Sequence, residues 1–476
     1  MEQFLYEQLA DELEELVLRG ALREGERLPS VRRLAEDRGV SVATALSTYL
    51  LLEGRGLVET VPKSGHFVRM RRAPEPPVPR VAKRAPAPAR VSLAADVDDL
   101  VGVLIHARGR GLVPLGTAHI APELLPTRKL NAILAAIARE GAGPGASYDE
   151  LRGLAQLRRQ LARRAVTWGT FLDEDDFVTT VGATEALYLS LRAVTKPGDV
   201  VAVESPSYFG VLRLIEGHGL RALEMPTDPR TGLDLDALDD AIRTASVNAV
   251  IAAPNFPNPL GARMPDENKE RLVKMLARRD IPLIEDDVYG DLAYDGTRPR
   301  PAKSFDKDGS VLLCGSISKT LAPGYRVGWV APGKYQEKLE RLKFAHTVAS
   351  PSPTQMAVAE FLAEGGYDRH VRKLRKTLAA QTTLYREAIA ASFPEGTRVS
   401  CPQGGFVLWV EMKDDVKAVE LQLRALDRGI AIAPGPIFSA RNRFTSCVRI
   451  STGHPFSPAI EKAIADLGRM AHEIRR

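Results

Sequence analysis

A chain of 476 residues with 44% apolar and 26% charged side chains has the composition of a folded globular protein and the length of about three ordinary domains. That excludes wholesale disorder, collagen-like repeats and a disulfide-stapled miniprotein, and three widely spaced cysteines (Cys314, Cys401, Cys447) suggest neither a zinc spacing nor a disulfide framework. The formal net charge is +5, but residues 1–72 hold 11 Lys/Arg against 12 Asp/Glu, so any DNA-binding claim rests on local pattern. An N-terminus carrying Glu2, Glu7, Asp11, Glu12, Glu14 and Glu15 is the opposite of a signal or transit peptide. No stretch approaches the ~18 unbroken apolar residues of a membrane span. The expectation is a cytoplasmic protein.

In chain order, Phe4, Leu5, Leu9, Leu13, Leu16 and Val17 recur at helical spacing and predict an amphipathic helix, broken by Gly20 and Gly25. Ser30 can cap a second helix over residues 31–38, Gly39 suits the left-handed position that ends it, and Ser41 caps a third helix ending near Gly54. Residues 57–61 and 66–70 read as a hairpin about a Pro62-Lys63-Ser64-Gly65 turn. This order is that of a winged helix-turn-helix; any small three-helix domain is the plainer alternative. Residues 73–95 hold six prolines, which remove backbone donors and fix φ, so a stiff polyproline-like spacer is expected, reaching at most ~70 Å. The division is therefore an N-terminal domain over 1–72, a linker over 73–95 and a C-terminal domain over 96–476.

The N-terminal residues resemble the GntR-type DNA-binding domain: Tyr6, Gln8-Leu9, Gly25-Glu26-Arg27-Leu28-Pro29-Ser30, Leu34-Ala35, Gly39-Val40-Ser41, Thr44, Leu52-Glu53-Gly54, Gly56-Leu57-Val58 and Gly65-His66-Phe67-Val68. The resemblance implies a third helix in the major groove and a wing tip at the adjacent minor groove. It makes Arg32, Ser41, Thr44 and the Gly65-His66 tip candidate DNA contacts. The recognition helix departs from the basic pattern of many members: Val42, Ala43, Ala45, Leu46, Ser47 and Thr48 fill it, so base readout rests on hydroxyl and methyl contacts or is weak.

From residue 96 onward, apolar β-rich runs (177–181, 200–204, 247–252, 281–284, 311–314) alternate with helical patterns, which implies a mostly parallel sheet covered on both faces, with ligands at the strands' C-terminal ends. Three junctions stand out. Thr180-Val181-Gly182-Ala183-Thr184-Glu185 turns from strand into a helix whose free N–H groups suit a phosphate, although many such junctions carry a glycine. Glu285-Asp286-Asp287 closes a buried strand, and such acids need a cation or donors; a cap or structural ion pair is the plainer role. Ser316-Ile317-Ser318-Lys319-Thr320, followed by Pro323-Gly324-Tyr325-Arg326, offers a desolvated nucleophilic lysine among phosphate partners. The histidines, among them His106, His119, His218 and His454, show no metal-like spacing.

Together the junctions resemble the pyridoxal-phosphate (PLP) site of fold-type I aminotransferases over roughly residues 100–470, with a large sheet and a smaller α/β domain. The resemblance implies Lys319 as the Schiff-base lysine, Asp286 as partner of the pyridinium nitrogen, and Asn258 and Tyr289 as partners of the ring oxygen. It implies Tyr208 stacked on the ring, Ala183, Thr184, Ser316, Ser318 and Arg326 around the phosphate, and Arg449 on a substrate carboxylate. Tyr148 matches a tyrosine that reaches the partner subunit's phosphate, which implies a homodimer. A GntR-type domain, a spacer and an aminotransferase-like domain in this order resemble the MocR family of transcriptional regulators. That resemblance implies an operator-binding homodimer that senses PLP or its reaction with a small amino compound; because an effector biases DNA binding only through unequal affinity for two arrangements, the spacer is expected to transmit closure of the small domain. Because Lys319, Asp286, Tyr289, Arg326 and Arg449 are all present, a working aminotransferase is the competing reading; a C-terminal domain serving only as a dimerisation scaffold is a third.

Overall fold

The computed structural model describes residues 4–18, 21–22, 25–61, 64–69, 75–81, 86–91, 102, 111–139 and 145–474. Gly20, the Pro62-Lys63 half of the hairpin turn, the boundaries at 72/73 and 95/96, and His106 lie outside them.

The N-terminal unit consists of α1 (Leu5–Leu18), α2 (Val31–Arg38), α3 (Val42–Gly54) and the hairpin β1 (Val58–Val61)–β2 (Gly65–Val68). Its local chemistry is as the sequence implies. Ser30 and Ser41 accept hydrogen bonds from the Arg33 and Thr44 amides at 3.3 and 3.0 Å, and Gly39 ends α2 at φ +62°. Leu9, Leu13, Val17, Leu34, Tyr49, Leu52 and Val58 are buried in its core, while Phe4 and Leu5 at the predicted start of α1 are exposed.

The C-terminal region is built on a mixed sheet of order β3 (Ala89–Arg90), β7 (Arg221–Asp228), β6 (Val200–Ser205), β9 (Val247–Ala252), β10 (Leu283–Asp286), β11 (Val311–Ser316), β12 (Val327–Ala331), β5 (Val178–Val181), with β8 (Gly232–Leu233) paired to β7. Strands β7, β6, β9, β10 and β11 are parallel neighbours; β12 runs against both β11 and β5, and β3 runs against β7. The parallel strands are buried on both faces, which is why they read as unbroken apolar runs. α4 (Gly182–Val194) follows β5 directly.

A smaller antiparallel sheet of order β13 (Arg398–Val399), β14 (Val407–Glu411), β17 (Cys447–Ser451), β16 (Ala433–Pro434) packs with α5 (Gly366–Ser392) and α6 (Pro458–Ile474), and β4 (Val113–Pro114) pairs with β15 (Ile430–Ala431). The proline-rich segment departs from the expected stiff spacer in joining the fold around it. Pro77 and Val78 carbonyls accept from the Val399 amide and Arg398, Arg80 pairs with Glu411, and Ala89–Arg90 enters the large sheet as an edge strand. Proline is tolerated at a sheet edge, and the residues after Pro88 keep their amides. The winged unit rests on α5 and α6: Glu7 meets Lys376 at 3.8 Å, Arg69 meets Glu461 at 3.4 Å, and Gly56 lies against Leu384.

Candidate functional site: a cavity at the strand ends

The C-terminal ends of β5, β6, β9, β10 and β11 converge on a cavity of about 490 Å³, closed from the small sheet by Arg449 on β17. Ala183, Thr184, Tyr208, Asn258, Asp286, Tyr289, Ser316, Ser318, Lys319, Arg326 and Arg449 all line it. Residues from 183 to 319 share one site because each parallel strand delivers its following loop to the same edge, and Arg449 joins them from the small sheet.

The three consecutive acids part ways here. Glu285 turns to the other face of the sheet and accepts from the Ala302 and Lys303 amides at 2.7 and 2.9 Å. Asp287 pairs with Arg298 and accepts from Asn255 at 3.1 Å, the plainer structural role. Asp286 alone faces the cavity, and its buried Oδ1 has no hydrogen-bond partner. Burial, with Asp287 adding to it, pushes Asp286 up to about 7.

Lys319 donates from Nζ to the Ala118 carbonyl at 2.8 Å and lies 5.6 Å from the Tyr289 ring centre. Burial, helped by Arg449 and Arg326 and opposed by Asp286, brings it down to about 8. Arg449 is 1% exposed, donates to the Gly116 carbonyl and, at 3.4 Å, to Asn258 Oδ1, and burial lowers it to about 10. Tyr289 is raised by burial.

The phosphate end is a cradle. Gly182 takes φ +75° at the start of α4, and a Cβ there would collide with the Arg326 guanidinium, which donates to the Val181 carbonyl at 3.2 Å. Ser318 Oγ is buried without a partner, while Ser316 Oγ accepts from the Ser318 amide at 3.3 Å. A lone buried carboxylate oxygen, an unpartnered hydroxyl, helix-start amides and a guanidinium are what a cationic ring nitrogen and a phosphate would satisfy, so the residues fit PLP. Tyr148 does not line the cavity of its own chain; it is 86% exposed.

Two contributors escaped the sequence reading. The 116–119 loop supplies the carbonyls that hold Arg449 and Lys319, and Glu204 lines the cavity from the end of β6. Only the acid at the end of an otherwise apolar strand (Glu204) was a visible signal.

On the winged unit, Arg32 is exposed, and Val42 and Leu46 stand out from α3 at 54% and 44% exposure. The Ser41 hydroxyl is 2.8 Å from that of Thr44, besides capping α3. At the wing tip the His66 ring stacks on Tyr49 at 4.2 Å, with Nδ1 3.0 Å from Thr60 Oγ1. The wing is therefore fastened to α3 through His66, and Arg27 packs over Gly65.

Fold and cavity define a DNA-binding regulator built on an aminotransferase scaffold. Residues 124–465 match the aminotransferase class I and II family, and residues 5–68 match the gntR family of bacterial regulatory proteins. The uncharacterized HTH-type transcriptional regulators YjiR and YdcR of Escherichia coli strain K12 are 38% and 36% identical, over 98% of this chain and 98% and 99% of theirs. The chain belongs to the MocR-type family of transcriptional regulators. Among solved structures it is similar to the Pyrococcus horikoshii kynurenine aminotransferase in complex with PMP (TM-score 0.74, 26% identity, 81% of this chain and 96% of that one). LysN, the alpha-aminoadipate aminotransferase of Thermus thermophilus complexed with N-(5'-phosphopyridoxyl)-L-leucine, gives a TM-score of 0.72 at 27% identity, with the same coverage.

Proposed function

We propose that this chain is a PLP-binding transcriptional regulator whose C-terminal domain senses PLP, a small amino compound, or both. The observation that carries this reading is a full set of cofactor-type partners in one cavity, in the same chain as a winged helix-turn-helix. PLP supplies an electrophilic carbonyl and an electron sink when bound. Asp286 would meet the positive ring nitrogen, Tyr208 would cover the ring, and Asn258 with Tyr289 would orient the ring oxygen. Ala183, Thr184, Ser316, Ser318 and Arg326 would hold the phosphate. Lys319, lowered toward neutrality, would supply the amine that holds PLP covalently and would hold or move a proton beside it. Arg449 takes the carboxylate of an amino compound.

The exposure of Tyr148 supports a homodimer in which it reaches the phosphate of the partner. Double-stranded DNA is contacted from the α3 side, with Arg32, Ser41, Thr44, Gly65 and His66 as the contact set. Among the described residues no helix is long and apolar enough to cross a membrane; the cell compartment proposed is the cytoplasm.

An effector biases DNA binding only through unequal affinity for two arrangements. Arg449 stands on β17, within the small domain whose helices α5 and α6 carry the winged unit. A ligand that draws on Arg449 thus acts on the surface that positions the DNA-binding domain. The test is binding to the DNA upstream of its own gene, with and without PLP, at one salt concentration. Affinity that changes with PLP supports the reading, and failure to prefer that DNA over random sequence under every ligand condition counts against it.

The second reading, an active aminotransferase, is favoured by Lys319 and Arg449 standing in one cavity. Sustained formation of a keto acid over many turnovers separates it from a sensor that completes a single half-reaction.

A further inference from the structure

Glu204, the penultimate residue of β6, is buried and lines the cavity. One oxygen, Oε2, accepts from the Ala253 amide at 3.1 Å; the other, Oε1, is buried with no hydrogen-bond partner. Among the described residues, no lysine or arginine donates to Oε1. The charge that acts on it is Asp286, at the end of β10, whose Oδ1 is likewise buried and without a partner in the same cavity. From β7, Glu224 is in register with Val203 and accepts from Ser205 Oγ at 3.2 Å; Ala252 at the end of β9 and Lys319 beyond β11 line the cavity.

Two carboxyl groups bordering one cavity do not both ionise readily, because each negative charge raises the cost of the other. In the cofactor-bound state Asp286 would meet the ring nitrogen, whereas no cation pairs with Glu204 among the described residues. Glu204 also joins the two loops that frame that ring. It tethers the Ala253 amide, five residues before Asn258, and sits four residues before Tyr208.

We infer that Glu204 is a positioning residue for the pyridinium end of the cofactor, held as a neutral carboxylic acid so that Asp286 carries the only negative charge there. The inference rests on PLP occupying this cavity. Burial, with Asp286 adding to it, raises Glu204 to about 8, in the direction this requires.

The test uses the full-length protein loaded with PLP and follows the visible absorption of the bound cofactor against pH, together with PLP dissociation constants. Glu204→Gln keeps the acceptor for Ala253 and a donor but has no proton to lose, and Glu204→Ala removes both. Expected for Gln are an absorption pKa within about 0.3 units of wild type and near-normal PLP affinity; for Ala, PLP affinity falls roughly tenfold or more. In wild type, an additional spectral change near pH 8 should be present, and Gln should lack it. A fall of about one unit or more in the absorption pKa of Gln would mean that a negative charge was removed, and overturns the inference. Gln and Ala both indistinguishable from wild type also overturn it. A wild-type protein that binds no PLP instead removes the reading on which it rests, and the inference with it.

Discussion

Replacing Asp286 by Asn should stabilise the PLP-free protein, and the gain should grow with pH. Burial raises Asp286 to about 7 from an ordinary value of 3.8, so the folded chain holds this proton through a range where the unfolded chain has released it. Three units at ~1.4 kcal/mol each is a cost of about 4 kcal/mol once the pH exceeds about 7. The sign follows from the raised folded-state value: the cost is absent below the unfolded pKa, grows as pH rises through the window between the two values, and is complete above the upper one. Asparagine has nothing to ionise, so its advantage over wild type should widen by ~2 kcal/mol between about pH 5.5 and pH 8. For a large domain that is a relative Tm change of roughly 4 °C. Saturating PLP should reverse the order, because the carboxylate then faces a cationic nitrogen and ligand binding to the folded state adds to wild-type stability. The assay is thermal unfolding of both proteins across that pH range, with and without PLP. A gap independent of pH, or an Asn variant less stable than wild type at pH 8 without PLP, would refute the reasoning.

Lys319, lowered to about 8, should make the rate of PLP capture climb with pH and level off above about 8; stopped-flow absorbance checks this, and Lys319→Ala should give no such signal. Gly182→Ala places a Cβ against the Arg326 guanidinium at a backbone φ of +75°, so PLP affinity should fall by about tenfold or more in a direct titration while the N-terminal unit still binds DNA. Ser41→Ala removes the cap of α3 and should cost about 1 kcal/mol in the unfolding of the winged unit, read by urea denaturation. Arg32→Ala should weaken DNA binding similarly on all sequences and reduce the log–log salt slope by about 1, as expected for one lost phosphate contact.

Local chemistry made much of this protein legible in its amino acids. Serine caps at Ser30 and Ser41, the left-handed Gly39 and apolar spacing depend on near neighbours only, so the helices of the winged unit follow from them. The strands behaved likewise, since burial on both faces writes itself as an unbroken apolar run. The lysine, aspartate and glycine junctions were legible for the same reason: each is a strand end with its own turn.

Tertiary structure decided what depends on neighbours distant in the chain. In Glu285-Asp286-Asp287 the alternation of a strand separates the side chains, but which of them meets a cavity depends on the elements above and below. The proline-rich segment could be read as a stiff spacer, yet small-domain groups at residues 398, 399 and 411 and the open edge of β7 hold its described residues in place. His66 became a fastener of the wing because α3 brings Tyr49 beneath it. Glu204 and the 116–119 loop acquired their place beside Asp286, Lys319 and Arg449 only through the crossover connections of the sheet. Sequence periodicity specifies which residues share a face; long-range packing specifies what that face meets, and the chemistry of the cavity arises from the second.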